Sequence, residues 1–171
     1  MSLRRRSASS SRMLFPLTVT QTLSTSAPPA AVWRAFESVS RWPKGNPKVA
    51  RATLSPRGPL AAGSTINIRA VPGSGGADRI ERVIAVEPPS RLVLAIDDDE
   101  YRATTEYRVA PAADGLTDVT VTGTLDARGL TQILRFLLWR QRLTPILSAT
   151  LRERAQALID LAERIAGEDK R

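Results

Sequence analysis

The chain has 171 residues, enough for one domain with a substantial core, and it carries a formal net charge of +8 with neither cysteine nor histidine. These absences exclude disulfides, thiolate metal sites, cysteine nucleophiles, histidine bases and Ser-His-Asp triads. Any chemistry must then use carboxylates, Tyr, Ser/Thr, Arg or Lys.

Arg4, Arg5, Arg6 and Arg12 concentrate positive charge at the start, whereas the later arginines are scattered and the only lysines are Lys44, Lys48 and Lys170. This pattern reads as a solvated arginine-rich surface, which makes nucleic acid an unlikely partner. Residues 1–13 read as a disordered basic tail, residues 14–167 as a single domain and 168–171 as a second short tail. Residues 14–19, LFPLTV, are too short and too polar for a signal-peptide core, and no run approaches the ~18 apolar residues of a membrane span. A cytoplasmic location is the corresponding expectation.

In chain order, residues 17–24 alternate apolar and polar and predict a half-buried strand. Pro29 opens a predicted helix to Val39, with Val32, Trp33 and Phe36 at helical spacing. A proline-broken connection, residues 41–47, follows. Six further strands are expected over 49–55, 64–71, 78–87, 91–96, 101–109 and 116–125, separated by Pro, Gly, Asp and Ser turn chemistry. Short connections imply an antiparallel meander. Residues 129–167 carry the only long helical signal, with Ile133, Leu137, Leu147, Leu151, Ala155, Leu158, Ala162 and Ile165 in one stripe. Thr144-Pro145 suits a helix start, so a break or kink is expected there, with 145–166 as the core helix.

Several words along this order carry a resemblance. They are Ala30-Ala31-Val32-Trp33, Arg41-Trp42-Pro43 with Asn46-Pro47, Gly63-Ser64, and Val86-Glu87-Pro88-Pro89-Ser90-Arg91-Leu92. Over residues 17–166 the chain resembles the SRPBCC superfamily, also called the START-like or polyketide cyclase/dehydrase and lipid-transport superfamily. The resemblance implies an α+β helix-grip fold: a curved antiparallel sheet of about seven strands around a long C-terminal helix, with short helices after the first strand. Many members have a second tryptophan where Gly45 stands, a departure that either widens the cavity mouth or is without effect.

The resemblance also implies an apolar cavity between sheet and helix, a hydrophobic small-molecule partner (lipid, polyketide or aromatic metabolite), and no cofactor or metal. The candidate lining is Trp33, Phe36 and Trp42 from the helices and Ile68, Ile84 and Leu94 from the central strands. Tyr101, Ala103, Thr105, Tyr107 and Gly123 come from the last two strands, and Leu147 and Leu151 from the C-terminal helix. Ala103 and Gly123 are small residues that leave volume opposite a helix. The hydroxyls of Tyr101, Thr105 and Tyr107 either orient a ligand or are satisfied within the core.

Arg82 is a possible polar contact if Ile80, Ile84 and Val86 face inward; the alternative face is Glu81, Val83 and Ala85. An inward arginine needs a carboxylate. Arg140 is the other possible polar contact. The acidic run 97–100 reads as a solvated turn, and the glycines at 73–76 as a hairpin loop.

Residues 130–143 are apolar around more of the circumference than one buried face needs, and they carry Arg135, Arg140 and Arg142. They either cap the barrel or meet a membrane or partner. Three functions stay open: a hydrophobic-ligand binder, a polyketide cyclase/dehydrase-type enzyme using cavity Tyr or Arg, and a membrane-peripheral accessory protein.

Overall fold

The computed structural model describes residues 16–97, 101–128 and 130–169. The tail expected over 1–13, and most of the acidic run, lie outside the described residues. Strand β1 (Leu17–Thr25) leads to α1 (Pro29–Glu37), a single turn at Val39–Arg41 and α2 (Trp42–Gly45). Strands β2 (Val49–Ser55), β3 (Thr65–Ala70), β4 (Arg79–Glu87), β5 (Arg91–Asp97), β6 (Tyr101–Pro111) and β7 (Thr117–Ala127) precede α3 (Leu130–Glu168). The seven strands form one sheet in the order β1-β7-β6-β5-β4-β3-β2. Every pairing is antiparallel. The sheet curves over α3 in an α+β helix-grip fold, as the sequence predicts.

Alternation sets the two faces. On β7, Val119, Val121 and Gly123 are buried, opposite Val109, Tyr107 and Thr105 of β6. The outer face carries threonine pairs between β1 and β7, with hydroxyl separations of 3.0 Å for Thr20–Thr122 and for Thr22–Thr120. Such cross-strand pairs stabilise a solvated face.

On β4 the register departs from the expectation that brings Arg82 and Ile84 inward. Glu81 and Val83 are buried, whereas Arg82 is exposed and Ile84 is 44% exposed. A β-bulge between Val83 and Ala85 shifts the pairing with β5, so Val86 packs against the core although Ile80 and Ile84 do not. The extra residue reverses the parity of the strand, and no single alternation covers both ends.

Of the break or kink expected at Thr144-Pro145, helix α3 does not show the break. It runs unbroken for 39 residues with Pro145 inside it. Proline removes one N–H and crowds the carbonyl of Gln141. Both Pro145 and Gln141 are exposed, and the Thr144 hydroxyl donates to the Arg140 carbonyl at 3.0 Å. At ~1.5 Å per residue the helix spans nearly 60 Å, more than the sheet can cover.

The C-terminal half is the gripped part. Leu151, Ala155, Ile159, Leu161 and Ala162 are buried against the sheet and α1. Polar ties hold it along its length: Lys48 Nζ meets Glu153 at 2.7 Å, and at the far end Arg34 pairs with Asp169 and Arg41 with Glu168. Gly45 closes α2 onto this helix. A Cβ there would stand 2.3 Å from the Ala157 carbonyl oxygen, so no side chain fits. The glycine therefore allows close packing of α2 on α3, a role apart from the two expected of its departure from the family pattern, a widened mouth or no effect.

Candidate functional site

The inward face of β6 sets out the site. Tyr101, Ala103, Thr105 and Tyr107 alternate along it. Beside it, α3 presents Leu143, Leu147, Leu151 and Arg154 at helical spacing. Side chains link the two rows at both ends: Leu143 shares a cleft with Tyr101 and Ala103, and Arg154 reaches Thr105.

At the Tyr101 end the space between the rows is open. Ile96, Tyr101, Ala103, Leu125 and Leu143 line an apolar cleft of about 400 Å³. This falls within the range of small-molecule sites. At its rim the Tyr101 hydroxyl accepts from Arg135 at 3.3 Å.

In the middle of the rows the space is closed. A Cβ on Gly123 would stand 2.8 Å from Leu151 Cδ1. Leu151 therefore occupies the room that the missing side chain leaves. Of the two small residues expected to leave volume, Ala103 does and Gly123 does not.

At the Tyr107 end lies an inner cavity of about 40 Å³, room for a few waters only. Phe36, Trp42, Leu92, Leu94 and Leu158 form its apolar wall. Its polar wall is Arg79, Glu81, Tyr107 and Arg154. The Glu81 side chain is 3% exposed and receives two guanidiniums, Arg79 Nε at 2.7 Å and Arg154. Arg154 is 17% exposed and also reaches the Thr105 hydroxyl, donating at 3.4 Å.

Burial pushes the Glu81 carboxyl up, but Arg154 and Arg79 together outweigh it and hold the group below the ordinary 4.5. Burial raises Tyr107, which stays a neutral phenol. Burial works against the Arg154 charge, yet Glu81 and Tyr107 raise its pKa overall. With two guanidiniums on one carboxylate, the cluster keeps one positive charge uncompensated by its own members.

The expected lining residues separate accordingly. Tyr101 and Ala103 line the cleft, while Phe36, Trp42, Leu94 and Tyr107 line the inner cavity. Thr105 and Leu151 lie between, and Leu147 is half-buried on the same side of α3. Trp33 and Ile68 are buried core residues outside both cavities, Trp33 packing edge-on against Phe36 with ring centroids 5.7 Å apart. Ile84 and Arg82 face outward, and Arg140 is exposed and lines neither cavity.

Arg79, Glu81 and Arg154 were not among the expected contacts. The requirement that an inward arginine have a carboxylate is met, by a different pair of arginines. A signal for Arg154 was available: it lies three residues after Leu151 and seven after Leu147, on the inward side of the helix. Among the described residues no three carboxylates converge as a metal site.

A curved sheet gripping one long helix, with cavities between them, defines a helix-grip protein. The family model for polyketide cyclase/dehydrase and lipid transport matches residues 16–159, and the chain belongs to that family. Norcoclaurine synthase from Thalictrum flavum, solved with dopamine and hydroxybenzaldehyde, is similar in structure: 12% identity, 96% of each chain covered, TM-score 0.68. A START superfamily protein from Mycobacterium smegmatis is similar over 86% of this chain and 97% of its own, at 13% identity and TM-score 0.65. The di-domain ARO/CYC StfQ from the steffimycin biosynthetic pathway aligns over 89% of this chain and 52% of its own, at 15% identity and TM-score 0.66. Such identities show a shared fold. No curated protein matches the sequence.

Proposed function

We propose that the protein binds an apolar small molecule bearing one anionic or strongly polar oxygen. The observation that carries this reading is the 400 Å³ apolar cleft in line with a buried cluster of net positive charge. Family membership supports a hydrophobic ligand in general terms. The body of the ligand would fill the cleft beside Tyr101, Ala103 and Leu143, driven by removal of apolar surface from water. Its oxygen would point along β6 toward Thr105 and Arg154. Leu151 would have to move for a long ligand to reach them, since it fills the space between.

Dansyl-tagged undecanoic acid, compared with its methyl ester, tests this. The parent protein is expected to bind the acid about tenfold or more tightly than the ester, as a charge-assisted hydrogen bond warrants. Arg154→Met should remove the preference and leave the ester unaffected. Equal affinities for acid and ester in the parent would refute the polar-end assignment.

A second reading, an enzyme of the cyclase/dehydrase kind, draws support from Tyr107 and Arg154 lining the same cavity. Glu81, ionised and held by two cations, is a poor base, and neutral Tyr107 is a hydrogen-bond donor. The arrangement suits polarisation of a carbonyl more than proton abstraction. Acid-probe affinity should then be flat between about pH 6 and about pH 9, where none of these groups changes charge. A titration inside that window would contradict the assigned charge states.

A further inference from the structure

The first half of α3 carries apolar side chains that the fold does not use. Leu134 is 63% exposed, Leu138 76%, Trp139 51% and Ile146 62%. Phe136 is the buried residue of this stretch, and Leu143 is half-buried on its side. The exposed residues lie in two adjacent rows: Leu134, Leu138, Gln141 and Pro145 opposite Phe136, then Arg135, Trp139, Arg142 and Ile146 on the flank. Single exposed leucines are ordinary; a continuous apolar face on one helix is not.

The charge on this face has one sign. Arg135 and Arg142 are exposed on it, and no Asp or Glu occurs from residue 130 to residue 152. The Arg142 guanidinium stands 5.1 Å from the centre of the Trp139 ring, leaving its charge at the edge of the apolar surface. Among the described residues no helix is apolar enough to cross a membrane.

We propose that this face of α3, residues 134–146, docks on the surface of an anionic lipid bilayer. Leu134, Leu138, Trp139 and Ile146 enter the headgroup–acyl boundary, and Arg135 and Arg142 meet lipid phosphates. An amphipathic helix with arginines beside large apolar side chains and tryptophan has the composition of an interfacial anchor. Anionic lipid supplies the counter-charge that the helix lacks. A second copy of this chain fits the face poorly, because self-association would set arginines against arginines with no carboxylate between them. Docking does not depend on a ligand in the cleft. If the cleft takes one, docking sets the cleft one helix diameter, ~10 Å, from the bilayer and shortens the ligand's path through water.

Flotation of the full chain with phosphatidylcholine vesicles, with and without phosphatidylglycerol, tests the proposal. The parent is expected to float with the phosphatidylglycerol vesicles, less so at high salt, and weakly with phosphatidylcholine alone. Leu138→Ser with Ile146→Ser should lower the partition constant about tenfold or more, the loss expected for removing two large apolar anchors. Both residues are exposed, so the circular dichroism spectrum and Tm should be unchanged. Arg142→Glu, a second variant outside the core, should weaken the preference for the anionic vesicles.

Both variants retain Arg4, Arg5, Arg6 and Arg12. Vesicle binding unchanged in both would place attachment elsewhere, such as that basic segment, and overturn the proposal. So would a parent chain that does not float, or one that dimerises through this face without binding vesicles. Flotation uses no cavity ligand, so its outcome is separate from that of the acid and ester comparison.

Discussion

Glu81 is the residue on which the inner cavity turns. Its carboxylate is almost fully buried and holds both inward guanidiniums. Removing one partner of a buried ion pair strands the other and typically costs about 3–5 kcal/mol. Glu81→Leu should therefore lower stability by about that much, read from urea unfolding. Adding Arg154→Met and Arg79→Met should recover much of the loss, because an apolar replacement of the whole cluster leaves no stranded charge. A triple variant as unstable as the single one would show that the cluster acts through packing alone.

The pH dependence has a definite sign. The folded-state pKa of Glu81 is depressed, so its contribution is present above the unfolded value of 4.5 and lost as pH falls through the lower folded value. The variant Glu81→Gln should show a shallower loss of stability than the parent on acidification below about pH 4.5. Identical acid slopes would contradict the assignment.

This residue was hard to read in the sequence. The outward Ile80 and Ile84 are larger and more apolar than the charged residues beside them, so composition points the wrong face inward. The bulge after Val83 then lets Val86 turn inward as well, and the strand carries no single alternation.

Among the elements, α3 divides by its contacts and not by its backbone. The half after Pro145 is held by apolar burial and by the ties of Lys48, Arg41 and Arg34 to Glu153, Glu168 and Asp169. The half before it rests on Phe136, Leu143 and the rim contact of Arg135 with Tyr101. Amide hydrogen exchange should report this division. Backbone amides of 131–143 should exchange at least about tenfold faster than those of 151–165, with the change near Pro145. Uniform protection along the helix would contradict it.

The apolar stripe made the helix legible, as did the alternation on β6 and β7. Its continuity through Pro145 was not legible. Whether a proline ends a helix depends on whether the freed carbonyl can reach water, and that requires knowing that Gln141 and Pro145 lie on the exposed side. The fit at Gly45 was hidden for a similar reason: the atom that excludes a side chain belongs to Ala157, more than a hundred residues away in sequence.

At the scale of the molecule, order of elements and turn chemistry were enough for one antiparallel sheet covered by one helix, and the family resemblance supplied the helix-grip fold. Cavity volume was not legible, since it depends on which side chains fill the space opposite each small residue. Leu151 fills the room at Gly123, whereas the room at Ala103 stays open. The proposed ligand site rests on that difference, not on the fold, which is shared with proteins of several kinds.

The most direct test of the account fills the open cleft. Ala103→Trp places an indole in the space bounded by Ile96, Tyr101, Leu125 and Leu143. Titration of dansyl-tagged undecanoic acid into the parent should give saturable binding with one site per chain. Ala103→Trp should weaken that binding about tenfold or more while its unfolding transition stays cooperative. Absence of saturable binding to the parent, or unchanged binding to a folded Ala103→Trp protein, would contradict the cleft as the ligand site.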